Sequence, residues 1–311
     1  MTANPGGKPD AGQKPDAATQ PMGGEPVTGR FTVSLIAADP TTSTPALSRL
    51  QGTVRSGSPH ELMGWELDSE SAGCRLETPD FPFCDPECAA GEGCVAGDTC
   101  EPDPTAVGVG TVTIESLRLK EGSGAVQLMR IGPNYQPPGA VDIDFPPADE
   151  GAMVTLSAGG SDNHGPFSIS TTGIAEIVPT GDGPVPFERG KPLTLRWTPA
   201  TSAASTMTAV VDISHHGGVK GRVICTPDDT TGELVVPAEL VTGLYDLGVA
   251  GFPIVRITRA ATGVSEDASS RIEFAVEQTM ELDLAIPGVT SCLMQEDCPA
   301  GTTCQRDRTC G

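Results

Sequence analysis

The sequence predicts a mainly β protein: two β-sandwich domains of immunoglobulin or fibronectin type, with two small disulfide-rich modules. Three observations carry this expectation. Short segments rich in Val, Ile, Leu and Thr recur along the chain between Gly and Pro residues, and sustained helical periodicity is scarce. Within these segments apolar and polar residues alternate, the period of a strand with one buried face. The 10 cysteines cluster mainly in two short Gly- and Asp-rich stretches, as in modules too small to own a core.

Taken in order, residues 1–28 open MTANPGGKPDAGQKPDAATQPMGGEP, which repeats Lys-Pro-Asp-Ala from Lys8 and from Lys14 and predicts a disordered tether. Residues 29–180 are expected as the first β domain. In its opening RFTVSLIAA, Phe31, Val33 and Leu35 share one face. Trp65 shares parity with Met63 and Leu67, which predicts a core position. A Cys-rich module, residues 74–101, is expected as an excursion between LMGWELDSE and VGTVTIESL. In GTVTIESLRLKEG the apolar parity passes from Val112 and Ile114 to Leu117 and Leu119, so a bulge is expected there. Tyr135, in the Pro-rich GPNYQPPG, is the aromatic residue expected to be exposed and is a candidate binding contact.

Residues 181–290 match an immunoglobulin-like sandwich in length and strand count. Leu193, Leu195 and Trp197 share one face, as do Ala209, Val211 and Ile213. PAELVTG predicts a short helix, with Pro237 in its first turn and Gly243 at its end. In RIEFAVEQTMELDLAIPG, Ile272, Phe274, Val276, Met280, Leu282, Leu284 and Ile286 face one way, and Glu273, Glu277, Glu281 and Asp283 the other. That run exceeds the usual strand, and Gln278 is the polar residue on the apolar parity, so a bend or bulge is expected near it. Residues 291–311 form the C-terminal Cys-rich module.

Aligned on Cys88 and Cys298, both Cys-rich stretches read Cys, Ala or Pro, Ala, Gly, two residues, Cys, four residues, Thr-Cys. They are one module used twice. The first region holds Cys74, Cys84, Cys88, Cys94 and Cys100, the second Cys292, Cys298, Cys304 and Cys310, and Cys225 stands apart. Two bridges inside each module leave two cysteines over, so Cys74 is expected to pair with Cys225. Within the modules the expected pairs are Cys84 with Cys94, Cys88 with Cys100, Cys292 with Cys304 and Cys298 with Cys310. Spacing alone leaves connectivity open. A buried free thiol at Cys225 is one alternative. Zinc is another, although five-residue gaps and the absence of histidine from the clusters are unlike structural zinc sites.

A formal net charge of −22 and a pI near 4.4 stand against nucleic-acid binding. No apolar run approaches the roughly 20 residues of a spanning helix. Clustered cysteines predict export from the cytosol, and the tether suggests a lipoprotein whose lipidated cysteine lies ahead of it. Membrane contact is then expected only through such a lipid anchor. The chain contains no nucleophile elbow, His-Glu-x-x-His, P-loop or dinucleotide fingerprint. The histidines are His60, His164, His215 and His216. His215 and His216 are adjacent and would point to opposite faces of a strand, a weak metal signal. SDNHGP around His164 and the Asp228-Asp229 turn could offer oxygens to calcium, but turn formation is the simpler role. No cofactor is expected, with calcium left open by the acidic excess.

DISHHGGVKGRVIC, VTGLYDLGVAGFPIVRITRA, IPGVTSCLMQEDCPAGTTCQRDRTC and PFCDPECAAGEGCVAGDTCEPDPTAVGVGTVTI together resemble the Cys-rich surface lipoproteins of myxobacteria and related gliding or predatory bacteria. That resemblance implies export and attachment at the outer membrane or cell surface, and it transfers no catalytic or binding residues. The expected function is non-enzymatic: recognition, adhesion or envelope architecture, with a surface or envelope protein or a glycan as partner. Two alternatives stand beside it. One is a secreted enzyme of unrecognised type using His215, His216, Asp212 and the Asp228-Asp229 turn; the other is a calcium-stabilised structural protein.

Overall fold

The computed structural model describes residues 26–38, 43–57, 60–162, 164–181, 183–267 and 269–311. The tether expected over residues 1–28 lies almost wholly outside them, and its last two residues already belong to a strand. In chain order the strands are β1 (Val27–Ile36), β2 (Leu47–Ser56), β3 (Gly64–Ser71), β4 (Cys74–Asp80), β5 (Glu92–Val95), β6 (Thr99–Pro102), β7 (Val112–Leu119), β8 (Gly122–Ile131) and β9 (Asn134–Gln136). They continue as β10 (Met153–Ala158), β11 (Phe167–Thr172), β12 (Val185–Pro186), β13 (Leu193–Arg196), β14 (Thr206–Asp212), β15 (Arg222–Cys225) and β16 (Glu233–Val236). Helix α1 (Ala238–Asp246) precedes β17 (Ile254–Glu266) and β18 (Ser270–Ala285). The chain is mainly β, as its alternating pattern predicts.

Among the described residues, fourteen strands form one sheet, ordered β11-β10-β7-β8-β9-β2-β1-β18-β17-β14-β15-β4-β3, with β12 also paired to β18. β1 and β18 pair in parallel, from Val27 with Ser270 to Leu35 with Gln278. The sheet serves two cores. In the first, Phe31, Val33 and Leu35 pack with Val112, Ile114, Leu117, Leu156 and Ile169. A Cβ on Gly263 would run into the Ser170 carbonyl, so β11 crosses close over β17 and the sheet folds back on itself as a sandwich. In the second core the sheet packs against β13, β16 and α1 through Leu193, Leu195, Trp197, Leu240 and Leu244.

The cores do not divide where the sequence suggests a boundary near residue 180. Ile272, Phe274 and Val276 of β18 belong to the first core, whereas Leu284 and Ile286 belong to the second. Cys74 and Leu76 of the early hairpin join the second core. The physical reason is length: at 13 and 16 residues, β17 and β18 outrun one sandwich and supply strands to two.

This continuity also removes the bulge expected at Gln278. Its register with Arg259 is regular and β18 runs unbroken. Gln278 is instead fully buried at the junction of the cores, where its Oε1 accepts a hydrogen bond from the Ile177 amide. The bulge expected in β7 is present, between Ile114 and Leu117. Gly243 lies inside α1 rather than at its end, because a Cβ there would press on Leu76; the bare position lets the helix sit close on β4.

The five disulfides are Cys74–Cys225, Cys84–Cys94, Cys88–Cys100, Cys292–Cys304 and Cys298–Cys310. These are the pairings the sequence analysis favours among those that spacing leaves open. The repeat extends to backbone conformation: Gly91 and Gly301 have φ of 88° and 90°, and Asp98 and Arg308 have φ of 57° and 66°. Equivalent positions in the two modules thus take the same positive-φ backbone conformation. The first module is held to its surroundings by Ala96 N–H donating to the Glu61 carbonyl, and the second by Gly251 N–H donating to the Asp307 carbonyl.

Candidate ligand-binding cleft

On the face of the sheet turned away from the second core, Trp65, Asp212, Arg222, Arg256, Met63 and Val219 line a cleft of about 180 Å³. Its construction follows from strand pairing. β4 pairs with β15 from Glu77 with Arg222 to Cys74 with Cys225, and β3 lies beyond β4 as the sheet's edge. The parity that sends Cys74, Leu76, Val223 and Cys225 into the core therefore sends Glu77 and Arg222 outward. The Arg222 guanidinium lies 3.8 Å from the centroid of the Trp65 ring, within cation–π range. It also donates to Glu77 Oε2 from Nε at 2.8 Å, with Nη2 at 2.7 Å. Arg256 is held by Glu281 Oε1, 2.7 Å from its Nη2.

Trp65 is not the core residue that parity with Met63 and Leu67 suggests. It is half-buried, and Leu67 is 56% exposed, because both lie on the outer face of an edge strand, away from the second core. Trp197 does lie in the core, at 2% exposure.

The far wall of the cleft is the turn after β14. Asp212 Oδ1 accepts from the Ser214 amide at 2.8 Å and from its hydroxyl at 3.1 Å, and Asp212 Oδ2 lies 3.7 Å from His215 Nδ1. His215 and His216 do not point to opposite faces. They fall past the end of the strand, His216 takes φ +61°, and the ring centroids come within 3.9 Å. Ser214 hydrogen-bonds the carboxylate rather than an imidazole, so the arrangement is not that of an activated hydroxyl nucleophile.

The other candidates lie elsewhere. Tyr135 is 1% exposed, with its hydroxyl accepting from the Val109 amide at 2.7 Å. Gly52 is the reason: it pairs with Phe31 on one side and Tyr135 on the other, and over its bare backbone the two rings meet edge to face at 5.4 Å. Tyr135 is thus a core residue and not an exposed contact. Asp229 is committed to Arg259, Trp197 and Ser205. Asp228 caps the following 3-10 turn through the Thr230 amide and hydroxyl, which hold its carboxyl below the usual range against a small opposing effect of burial. Nδ1 of His164 sits 2.7 Å from the Gly165 carbonyl, and Nε2 of His60 2.8 Å from the Pro102 carbonyl. Among the described residues, the only sets of three metal-ligating groups within 4.8 Å of one another are Cys84, Cys88, Cys94 and Cys292, Cys298, Cys304, whose sulfurs are all in disulfides.

A second groove crosses the outer face of β2, β1 and β18, lined by Thr28, Thr53, Arg30, Arg55, Arg271 and Glu273. Its charged groups pair with one another. Burial works against the charge of Arg30, but Glu277 at 2.6 Å and Glu273 at 2.8 Å outweigh it and raise its pKa. Arg271 is likewise bound by Glu266 and Glu273.

No protein-family model matches the chain, and no curated protein matches it. Among solved structures it is similar to the FN1–FN3 domains of chicken CNTN1, at 10% identity over 84% of this chain and 91% of that one, with a TM-score of 0.20. A likeness at that score carries no argument about function. The five disulfides are those of a protein that matures in an oxidising compartment outside the cytosol, and no helix among the described residues is long and apolar enough to cross a membrane.

Proposed function

We propose that the chain is an exported, non-enzymatic surface protein, held at the outer membrane or cell surface as a lipoprotein, that serves in recognition or adhesion through a glycan. The observation that carries this reading is the half-buried Trp65 beside Asp212, Arg222 and Arg256 in one cleft. An indole ring face offers a flat apolar contact for a sugar ring, and flanking carboxylate and guanidinium groups accept from and donate to its hydroxyls. The strong negative charge of the whole molecule favours neutral or amino sugars over acidic ones. Rigid strands present the cleft, and the disulfide modules brace the same sheet from its periphery.

The test is a glycan array of neutral and amino-sugar oligosaccharides probed with the wild-type chain and with Trp65→Ala. Saturable binding lost in the variant supports the reading. An array with no bound member, or binding that survives the substitution, overturns it.

A further inference from the structure

We propose that His215 and His216, completed by Asp212, bind a divalent transition-metal ion of the zinc, copper and nickel group. Neighbouring residues on a strand diverge, so two consecutive histidines reach one ion only if the backbone turns between them. Here it does: His216 takes φ +61°, an uncommon conformation for a side chain branching from an L-residue, and the imidazole centroids stand 3.9 Å apart. Asp212 Oδ2 lies 3.7 Å from His215 Nδ1 and adds a hard oxygen beside two nitrogens. Two imidazoles with one carboxylate are a donor set for this group of ions, with a coordination position left for water.

The turn is held from several sides. Phe252 N–H donates to the His215 carbonyl, Gly217 N–H to the Ser214 carbonyl, and a Cβ on Gly251 would collide with the His215 carbonyl. That close approach keeps His215 fixed, whereas His216 is exposed and free to swing its ring. As the side chains stand, the three donors are not all within 4.8 Å of one another. Binding therefore requires the exposed His216 ring to rotate towards Asp212. The net charge of −22 favours cations around the molecule as a whole.

The site does not depend on the glycan reading, although Asp212 serves both. Zn²⁺ titration calorimetry on the full disulfide-bonded chain, without any sugar, tests it, with Ca²⁺ as the control ion. One saturable Zn²⁺ site is expected, with affinity reduced by about tenfold or more in His216→Ala and in His215→Ala. Trp65→Ala keeps that affinity, which separates this site from sugar binding, and a His60→Ala/His164→Ala chain keeps it as well. No saturable Zn²⁺ binding, or binding that persists in the His215→Ala/His216→Ala chain, overturns the proposal.

Discussion

Arg259 and Asp229 form a buried ion pair where the two hydrophobic cores meet: the side chains are 0% and 2% exposed, and the two hydrogen bonds measure 2.7 and 2.6 Å. Each group is fully used. Arg259 also donates to the carbonyls of Ala175, Glu176 and Thr198, and Asp229 accepts from the Trp197 indole and the Ser205 hydroxyl. Removing one partner leaves the other charged and alone in the interior, which costs about 3–5 kcal/mol. Arg259→Ala and Asp229→Ala should each lower stability by that amount in chemical denaturation. The double variant Arg259→Met/Asp229→Leu should cost less than the sum of the two single changes.

Glu150 holds the loop beyond Trp197. Its carboxylate accepts from the Thr201 amide and hydroxyl, each at 2.7 Å, and from the Ser202 amide at 3.1 Å. Burial works to raise its pKa, but these bonds, with the charge of Arg259, outweigh it and hold it below 4.5. A depressed folded-state pKa means that the unfolded chain binds the proton more readily. The stabilisation is therefore present above pH 4.5 and is lost as pH falls through the depressed value. The stability gap between wild type and Glu150→Gln, followed by thermal unfolding against pH, should narrow below pH 4.5.

The Cys74–Cys225 bridge spans 151 residues and joins the adjacent strands β4 and β15, whereas the module bridges span 10 or 12. Its loss in Cys74→Ala/Cys225→Ala should lower global stability by about 2–5 kcal/mol. Removing Cys298–Cys310 should instead loosen the C-terminal module and leave the main unfolding transition largely in place. Hydrogen exchange resolved along the chain distinguishes the two outcomes.

Gly52 has no room for a side chain, since a Cβ would overlap the Phe31 ring. Gly52→Ala should cost about 1–3 kcal/mol as that fully buried ring is displaced. Tyr135→Phe should cost about 1–3 kcal/mol by a different route, leaving the buried Val109 amide without an acceptor. Denaturant midpoints measure both.

Much of this architecture is legible in residue order. Alternation places Phe31, Val33, Leu35, Leu193, Leu195, Trp197, Ala209, Val211 and Ile213 on buried faces, where they lie. Parity fails where it meets a long-range fact. Gln278 reads as a defect in a strand, but its true setting is a junction of two cores that no local window contains. Tyr135 reads as a loop aromatic because the glycine beneath it, Gly52, is far away in sequence. Trp65 reads as core because alternation says that one face is apolar, not whether anything covers that face. The expected Cys74–Cys225 pair held the missing signal: it sets β4 beside β15, puts the Trp65 hairpin at the sheet edge, and brings Arg222 near the indole.

Non-reducing peptide mapping of the protein isolated from its native envelope checks both its export and its bracing by disulfides. Ten oxidised cysteines are expected, in the five pairs described, with Cys74 joined to Cys225 and the two modules bridged alike. Free thiols, or a Cys74 joined to another partner, would contradict that expectation.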